Sequence, residues 1–476
     1  MKLATREFSY ADQEHFASVS GDCNPIHVNS VQARRTQAGA PVVHGINLLL
    51  WGLEALAAAR PGLPPLRSLQ MRSNKFVYLG ESADVVFTEP GPGTAQLNVS
   101  VEGALRSKVT IEFGDAVDDC PGWSVASLAA IPSVPAPLDL AFEDIAGRSG
   151  RISFATTPED AVKLFPSAAK WLGGRRIAML MASTCLVGMV CPGLHSIYGE
   201  LSVKTCAELD LLDSLAFRVV WTDPRFHAVD QEITGGGLTG TVKSFFRTPP
   251  VQQPGMESLA GLIGKTDFAD SIALIVGGSR GLGELTAKAI ATGGGRVIIT
   301  WKTGQDDAER VVQEIRSAGG ACEAVAYDVH RPAAGQLATL DIQPTHAYYF
   351  ATPTIYRPQA SIFAAERLKD FLAVYVEGFW HLAQALRARQ PRLSLFYPSS
   401  TFVTERPRGM AEYAMAKAAG EVLCTDMNRS LAPMHVTLSR LPRLPTDQTA
   451  SVTVVEMADA LEALLPNIRE VQSWPR

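Results

Sequence analysis

Residues Ser271–Glu284 read SIALIVGGSRGLGE. Ile272–Val276 is an unbroken apolar run, the pattern of a strand buried on both faces. Gly278, Gly281 and Gly283 follow it. They suit a tight turn, a close approach of phosphate groups to the backbone, and close packing of the next helix on the strand. Downstream, strand and helix patterns alternate: helix Leu285–Thr292, strand Arg296–Thr300, helix Ala308–Ala318, strand Ala321–Tyr327. Alternation of this kind predicts βαβ units and a doubly wound parallel sheet over residues 271–476.

Upstream, two stretches rich in Pro, Ala and Ser, Asp118–Pro137 and Thr248–Asp270, read as linkers, because such segments bury little and break helices. They leave two further blocks, 1–118 and 138–248. The first has a short helical pattern at Ala11–Val19 and an apolar helix at Val42–Ala59 stopped by Pro61-Gly62. Strand patterns follow at Leu69–Tyr78, Ala83–Phe87, Gln96–Val101 and Lys108–Phe113. A long apolar helix followed by a meander of strands predicts a sheet wrapped around a helix, the α+β hot-dog arrangement. The second block repeats the order: an apolar helix at Arg176–Val190, stopped by Pro192-Gly193, then strands Ser196–Lys204, Leu215–Trp221 and Leu238–Phe246. The expected architecture is a double hot dog followed by an α/β Rossmann domain.

Bulk properties narrow the function. A chain of 476 residues is too long for one core. A net charge of −5 lacks the basic footprint of a nucleic-acid binder. The seven cysteines have no metal-ligand spacing, so no metal site is expected, and free thiols suit a reducing cytoplasm. The opening MKLATREFSY has no apolar core of a secretory signal, and the longest apolar run, Ile177–Val190, is shorter than the roughly 20 residues of a membrane span. The expectation is a cytoplasmic protein with neither membrane nor nucleic acid as partner.

Residues Phe16–His27 read FASVSGDCNPIH, and VVHG follows at Val42–Gly45. A carboxylate and an imidazole five positions apart on a loop stiffened by Pro25 can both contact one water molecule. A helix N-terminus can stabilise a developing oxyanion. The string resembles the GDxNPxH signature of the MaoC-like (R)-specific enoyl-thioester hydratases and 3-hydroxyacyl-thioester dehydratases. That resemblance implies Asp22 and His27 as the acid/base pair, Asn24 as the residue orienting the water or the loop, and the Gly45 N–H as the oxyanion donor. The second block has no such string; the resemblance implies that it shapes the acyl tunnel. His15, His44 and His195 read as structural.

Near the other end, Tyr413 and Lys417 form YxxxK on a helical pattern, and Ser400 precedes them at the end of an apolar strand, LSLFYPSS. Lys417 lies one helical turn from Tyr413, where an ammonium can lower the phenol pKa. With the glycine turn, this resembles the short-chain dehydrogenase/reductase family. The resemblance implies that Tyr413 is the proton donor, Ser400 holds the substrate carbonyl, and Asp328 lies near the adenine. After the second strand no acidic residue stands ready for a ribose hydroxyl. Lys302 there and Arg280 in the turn suit the 2′-phosphate of NADPH. Three departures stand out: FATP at Phe350–Pro353 in place of the family's NNAG, Tyr375 in place of a helix asparagine, and no glycine-rich strand segment after Thr446.

Together the two halves imply a bifunctional, homo-oligomeric enzyme acting on acyl-CoA or acyl-carrier-protein thioesters. An NADPH-dependent 3-oxoacyl reductase would feed, or be fed by, a 3-hydroxyacyl dehydratase. Two alternatives stay open: a working hydratase attached to a non-catalytic NADP-binding scaffold, or to a reductase of an unrelated carbonyl.

Overall fold

The computed structural model describes residues 1–116, 125, 127–206, 213–355, 362–449 and 457–474. The chain forms two compact units, one over Met1–Pro249 and the other over Pro250–Ala450 with Glu456–Arg476.

In the first unit the strands are β1 (Lys2–Glu7), β2 (Leu66–Ser73), β3 (Ser82–Gly91), β4 (Thr94–Val101), β5 (Ala104–Phe113), β6 (Ala130–Ile131), β7 (Ser149–Ser153), β8 (Ser196–Thr205), β9 (Ser214–Asp223), β10 (Ala228–Gly235) and β11 (Leu238–Phe246). They form one sheet in the order β1-β3-β4-β5-β2-β8-β11-β10-β9-β7-β6. Without the short β6, this is one pattern used twice. In each half the first strand edges the sheet, the helix follows, and the second strand sits innermost. The expected duplication is therefore written in the topology. The halves join where β2 pairs antiparallel with β8, Leu69 opposite Val203 and Met71 opposite Leu201.

Each half wraps its sheet around one helix. Helix Gly45–Ala59 buries Ile46, Leu49, Leu50, Leu53 and Leu56 against Leu97, Val99, Val109 and Ile111 of the sheet. Each such side chain is worth about 1.5–3 kcal/mol of burial. Helix Gly174–Cys185 plays the same part in the second half and runs on as a π-helical turn, Leu186–Val190. The periodicity did not reveal β1, β7 or β10. In β10 one polar residue interrupts the buried apolar face: Gln231 lies fully buried between Val229 and Ile233, and its Nε2 donates to Cys191 O at 2.9 Å.

The second unit holds β12 (Ile272–Val276), β13 (Arg296–Trp301), β14 (Ala321–Ala326), β15 (His346–Tyr349), β16 (Ser394–Ser400) and β17 (His435–Leu441). All pairings are parallel, in the order β14-β13-β12-β15-β16-β17. The order reverses between β12 and β15, and ligands of doubly wound sheets bind at such a switch point. One expectation needs correction. The stretch Thr248–Asp270 is not a bare linker, and the unit begins at Pro250 rather than Ser271. Met256–Ala260 is helical, and Leu259, Ile263 and Phe268 are buried in the core. Only Leu259 lies in that helix; Ile263 and Phe268 follow it in turns, with no regular period among the Pro and Gly. Among the described residues no helix is long and apolar enough to cross a membrane.

Candidate active sites

In the first unit, helix Tyr10–Ser20 ends at Gly21, whose φ of 78° caps it in the left-handed region. A side chain at Gly21 would also press on Ala155 and Cys185 of the second half. Asn24 then caps the single turn Pro25–Val28, its Oδ1 accepting from Ile26 N–H at 3.2 Å, with Pro25 in the first turn. The motif is thus a C-cap followed at once by an N-cap, and it sets Asp22 and His27 on a short rigid loop.

Both side chains line a cavity of about 440 Å³. Gly45 lines it too, at the start of helix Gly45–Ala59, which has no side-chain cap. His27 is fixed by Nδ1 to Val42 O at 2.8 Å and stacks on His44, ring centroids 3.7 Å apart. His44 Nδ1 lies 2.9 Å from Gln13 Oε1, and its Nε2 lies 3.0 Å from Asp22 O. Ligand atoms of Asp22, His27 and His44 lie within 4.8 Å of one another. Yet both ring nitrogens of His44 are already engaged by protein oxygens, which suits a support for His27 rather than a metal ligand.

The second half reaches into this site. Thr184 Oγ1 donates to Asp22 Oδ2 at 2.6 Å, from 162 positions away. Asn24 Nδ2 donates to the carbonyls of Gly188, Gly193 and Leu194 at 2.8, 3.2 and 3.3 Å. Asn24 therefore orients the loop; its amide is occupied by backbone. Val187, Gly188, Ser196, Tyr198 and Phe245 of the second half also line the cavity. His195 Nε2 lies 3.0 Å from Asp139 Oδ1.

Burial raises the Asp22 pKa, opposed by His27 and by hydrogen bonds from Thr184 and the Asn24 N–H. Burial lowers that of His27, opposed by Asp22 and the Val42 carbonyl, with Arg247 adding to the lowering. Burial thus draws the pKa values of the two groups toward each other.

In the second unit Ser400 ends β16, while Tyr413 and Lys417 lie one turn apart on helix Ala411–Ser430. All three are buried. Ser400 Oγ accepts from Phe402 N–H at 3.2 Å. Lys417 Nζ donates to Pro398 O at 2.7 Å and sits 3.9 Å from the centre of the Tyr375 ring. The Tyr397 and Tyr413 rings are 5.1 and 5.9 Å away. Tyr375 is therefore no bystander. It packs edge-on to Tyr413 at 5.7 Å and shares a 2.5 Å hydrogen bond with Thr352. Burial pulls the Lys417 pKa down to about 7, against weaker raising by Cys424 and Glu421.

The glycine turn at the β12 end fits a dinucleotide. A Cβ at Gly278 would stand 2.7 Å from Ile299 Cβ, and one at Gly283 would strike the Gly277 carbonyl. These two glycines serve packing. Gly281, at φ 57°, has only Thr446 nearby and opens helix Gly281–Thr292, which has no side-chain cap. Gly277, at φ 80°, makes the tight turn and was not singled out from the sequence. Arg280 differs from expectation: Nη2 is 2.6 Å from Asp447 Oδ2, so its charge is already matched. Lys302, half exposed, is 3.1 Å from Asp328 Oδ1 and 3.4 Å from His330 Nδ1. Burial alone would raise the Asp328 pKa, but hydrogen bonds from His330 and Lys302 hold it at about 2.

Residues 2–109 match the family model described as MaoC like domain, and residues 271–438 match the KR domain model. Among curated proteins, the cyclic-di-GMP-binding biofilm dispersal mediator protein of Escherichia coli (strain K12) is 22% identical over 200 residues, spanning 42% of this chain and 82% of that protein. Among solved structures, a short chain dehydrogenase from Burkholderia cenocepacia J2315 in complex with NADP is 23% identical. The match covers 43% of this chain and 91% of that one, with a TM-score of 0.39. A 3-oxoacyl (acyl-carrier-protein) reductase from Agrobacterium tumefaciens C58 with NADP bound is 21% identical, covering 38% and 73%, with a TM-score of 0.35.

Proposed function

From the premise that the chain joins a MaoC-like domain to a KR domain, we propose that it is a bifunctional enzyme of β-oxygenated acyl thioesters. One module reduces a 3-oxoacyl thioester; the other interconverts the 3-hydroxyacyl and trans-2-enoyl thioesters. The observation that carries this reading is the Asp22–His27 pair on a 440 Å³ cavity that also contains the uncapped helix start at Gly45.

In the hydration direction, Asp22 and His27 hold one water and take up its proton as its oxygen bonds to the β-carbon. The pair returns a proton to the α-carbon. The thioester oxygen becomes enolate-like in between and accepts from the Gly45 N–H, aided by the helix dipole. Dehydration runs the same steps backward.

In the second unit the glycine turn and Lys302 are the residues to hold NADPH, Lys302 meeting the 2′-phosphate. NADPH, when bound, supplies a hydride to the 3-oxo carbon. Tyr413 delivers the proton to the carbonyl oxygen, Ser400 holds that oxygen, and Lys417 stabilises the phenolate left on Tyr413. A second reading, an NADP-binding module without turnover, is favoured by one observation: Lys417 is already held by Pro398 O and the Tyr375 face.

The test is a purified-protein assay with acetoacetyl and crotonyl thioesters, each on CoA and on carrier protein. Hydration of the crotonyl and NADPH-dependent reduction of the acetoacetyl thioester are expected. NADPH binding without oxidation on any 3-oxoacyl thioester would overturn the 3-oxoacyl reductase reading.

A further inference from the structure

The half of the first unit without the motif touches the reacting carboxylate itself. Thr184 stands in helix Gly174–Cys185, and its hydroxyl donates to Asp22 Oδ2 at 2.6 Å, with both residues almost fully buried. Asp22 Oδ1 accepts from the Asn24 N–H at 3.2 Å. Each oxygen thus has one fixed donor and keeps lone-pair capacity toward the cavity that Asp22 lines. The π-helical turn following Thr184 brings Gly188 against the same carboxylate, where a Cβ would collide with Oδ1. A π-turn widens a helix locally and often marks a functional site. Here it delivers a hydroxyl and a bare backbone to one side chain.

We propose that Thr184 is a positioning residue for hydration: it fixes the Asp22 carboxylate from the opposite half, and Gly188 leaves the space that carboxylate occupies. This rests on the hydratase reading above. A buried carboxylate without its donors stays protonated, and a protonated Asp22 cannot take a proton from water. The charged and titratable groups around it are His27, His44, Cys23 and Cys185, with Arg247 acting through His27. None of these replaces the Thr184 hydrogen bond to Oδ2.

The experiment compares Thr184→Val, Thr184→Ser, Gly188→Ala and Asp22→Asn in the full-length protein, with crotonyl thioester as probe. A hydrogen bond to a charged group is worth about 1.5–3 kcal/mol, so Thr184→Val should lower kcat for hydration about tenfold or more, with KM little changed. Losing this donor raises the Asp22 pKa, so the acid limb of the kcat/KM profile should move to higher pH. Thr184→Ser, which keeps the donor, should recover most of the rate and the original limb. Gly188→Ala should lose kcat by displacing the carboxylate. Wild-type kcat and pH profile in Thr184→Val, or a Thr184→Ser no better than Thr184→Val, overturns the proposal. If Asp22→Asn also keeps full activity, or the wild type hydrates no enoyl thioester, the hydratase reading falls and takes the proposal with it.

Discussion

The two candidate sites are built by opposite routes. In the first unit the reacting side chains are neighbours in sequence, and many of the groups that support them come from elsewhere in the chain. Gln13, His44, Thr184 and Gly188 come from three helices and both halves of the duplication. In the second unit Ser400, Tyr413 and Lys417 come from one strand and the helix after it, while their surroundings are aromatic: Phe371, Tyr375, Tyr397 and Phe402. One site is a hydrogen-bonded loop fitted against another half. The other is a buried amine enclosed by rings. The hydratase chemistry should therefore respond to changes in hydrogen bonding, and the reductase chemistry to changes in packing and in the charge of Lys417.

The largest effects should divide the sites cleanly. Asp22→Asn or His27→Ala should cost hydration at least about a hundredfold, the scale of a lost general acid or base, and leave ketone reduction intact. Tyr413→Phe should abolish reduction and leave hydration intact. Steady-state rates on both substrates check this; loss of both activities in either variant would break the comparison.

Next come substitutions at Tyr375. The ring is buried, packs on Phe371 and Tyr413, and faces Lys417. Tyr375→Asn should destabilise the second unit by about 3 kcal/mol, because a large buried aromatic is lost. Tyr375→Phe keeps the ring over the amine and loses only the hydrogen bond to Thr352, so it should cost about 1 kcal/mol and leave reduction nearly unchanged. Chemical denaturation with a probe in the second unit distinguishes them; a stable, active Tyr375→Asn would show that the ring can be replaced by a smaller polar group.

Lys417 gives a smaller effect with a definite sign. Its pKa, lowered to about 7 in the folded unit, lies below the 10.5 of the unfolded chain. Between these values the unfolded chain binds the extra proton, so this residue's contribution to stability improves as pH rises from about 7 toward 10. The difference in unfolding free energy between wild type and Lys417→Met should change in that direction over the window. A pH-independent difference would mean the amine stays protonated.

The smallest effect concerns cofactor choice. Lys302→Ala should weaken NADPH binding about tenfold more than NADH binding, since one exposed charge meets the 2′-phosphate. Arg280→Ala should do less to this ratio: Arg280 is held at 2.6 Å by a buried Asp447, whereas Lys302, though 3.1 Å from Asp328, is half exposed. Binding titrations with both dinucleotides measure it, and equal losses in Lys302→Ala would remove Lys302 from the phosphate site.

Sequence legibility followed the same contrast. Motifs with fixed local spacing were readable: the Gly21–His27 string, the glycine turn, and Tyr413 with Lys417. The duplication was readable through its two apolar helices and their Pro-Gly stops. Thr184 was not, because a Thr within an apolar helix carries no periodic or motif signal and gains meaning only from a partner 162 positions away. The same holds for Asp447, which meets Arg280 across the second unit. Strand β10 was missed because Gln231 interrupts its apolar face, and the core residues at 250–270 because they are scattered among Pro, Gly and turns with no regular period. Tyr375 was noticed as a departure, but its contact with the Lys417 ammonium needed coordinates.

The most direct test follows one substrate through both sites. Wild type, Asp22→Asn and Tyr413→Phe would each be given acetoacetyl thioester and NADPH, with products resolved by mass. Wild type should yield both the 3-hydroxybutyryl and crotonyl thioesters, Asp22→Asn should stop at the 3-hydroxybutyryl thioester, and Tyr413→Phe should return the substrate unchanged. Crotonyl product from Asp22→Asn, or reduced product from Tyr413→Phe, would contradict the assignment of two separate sites to these residues.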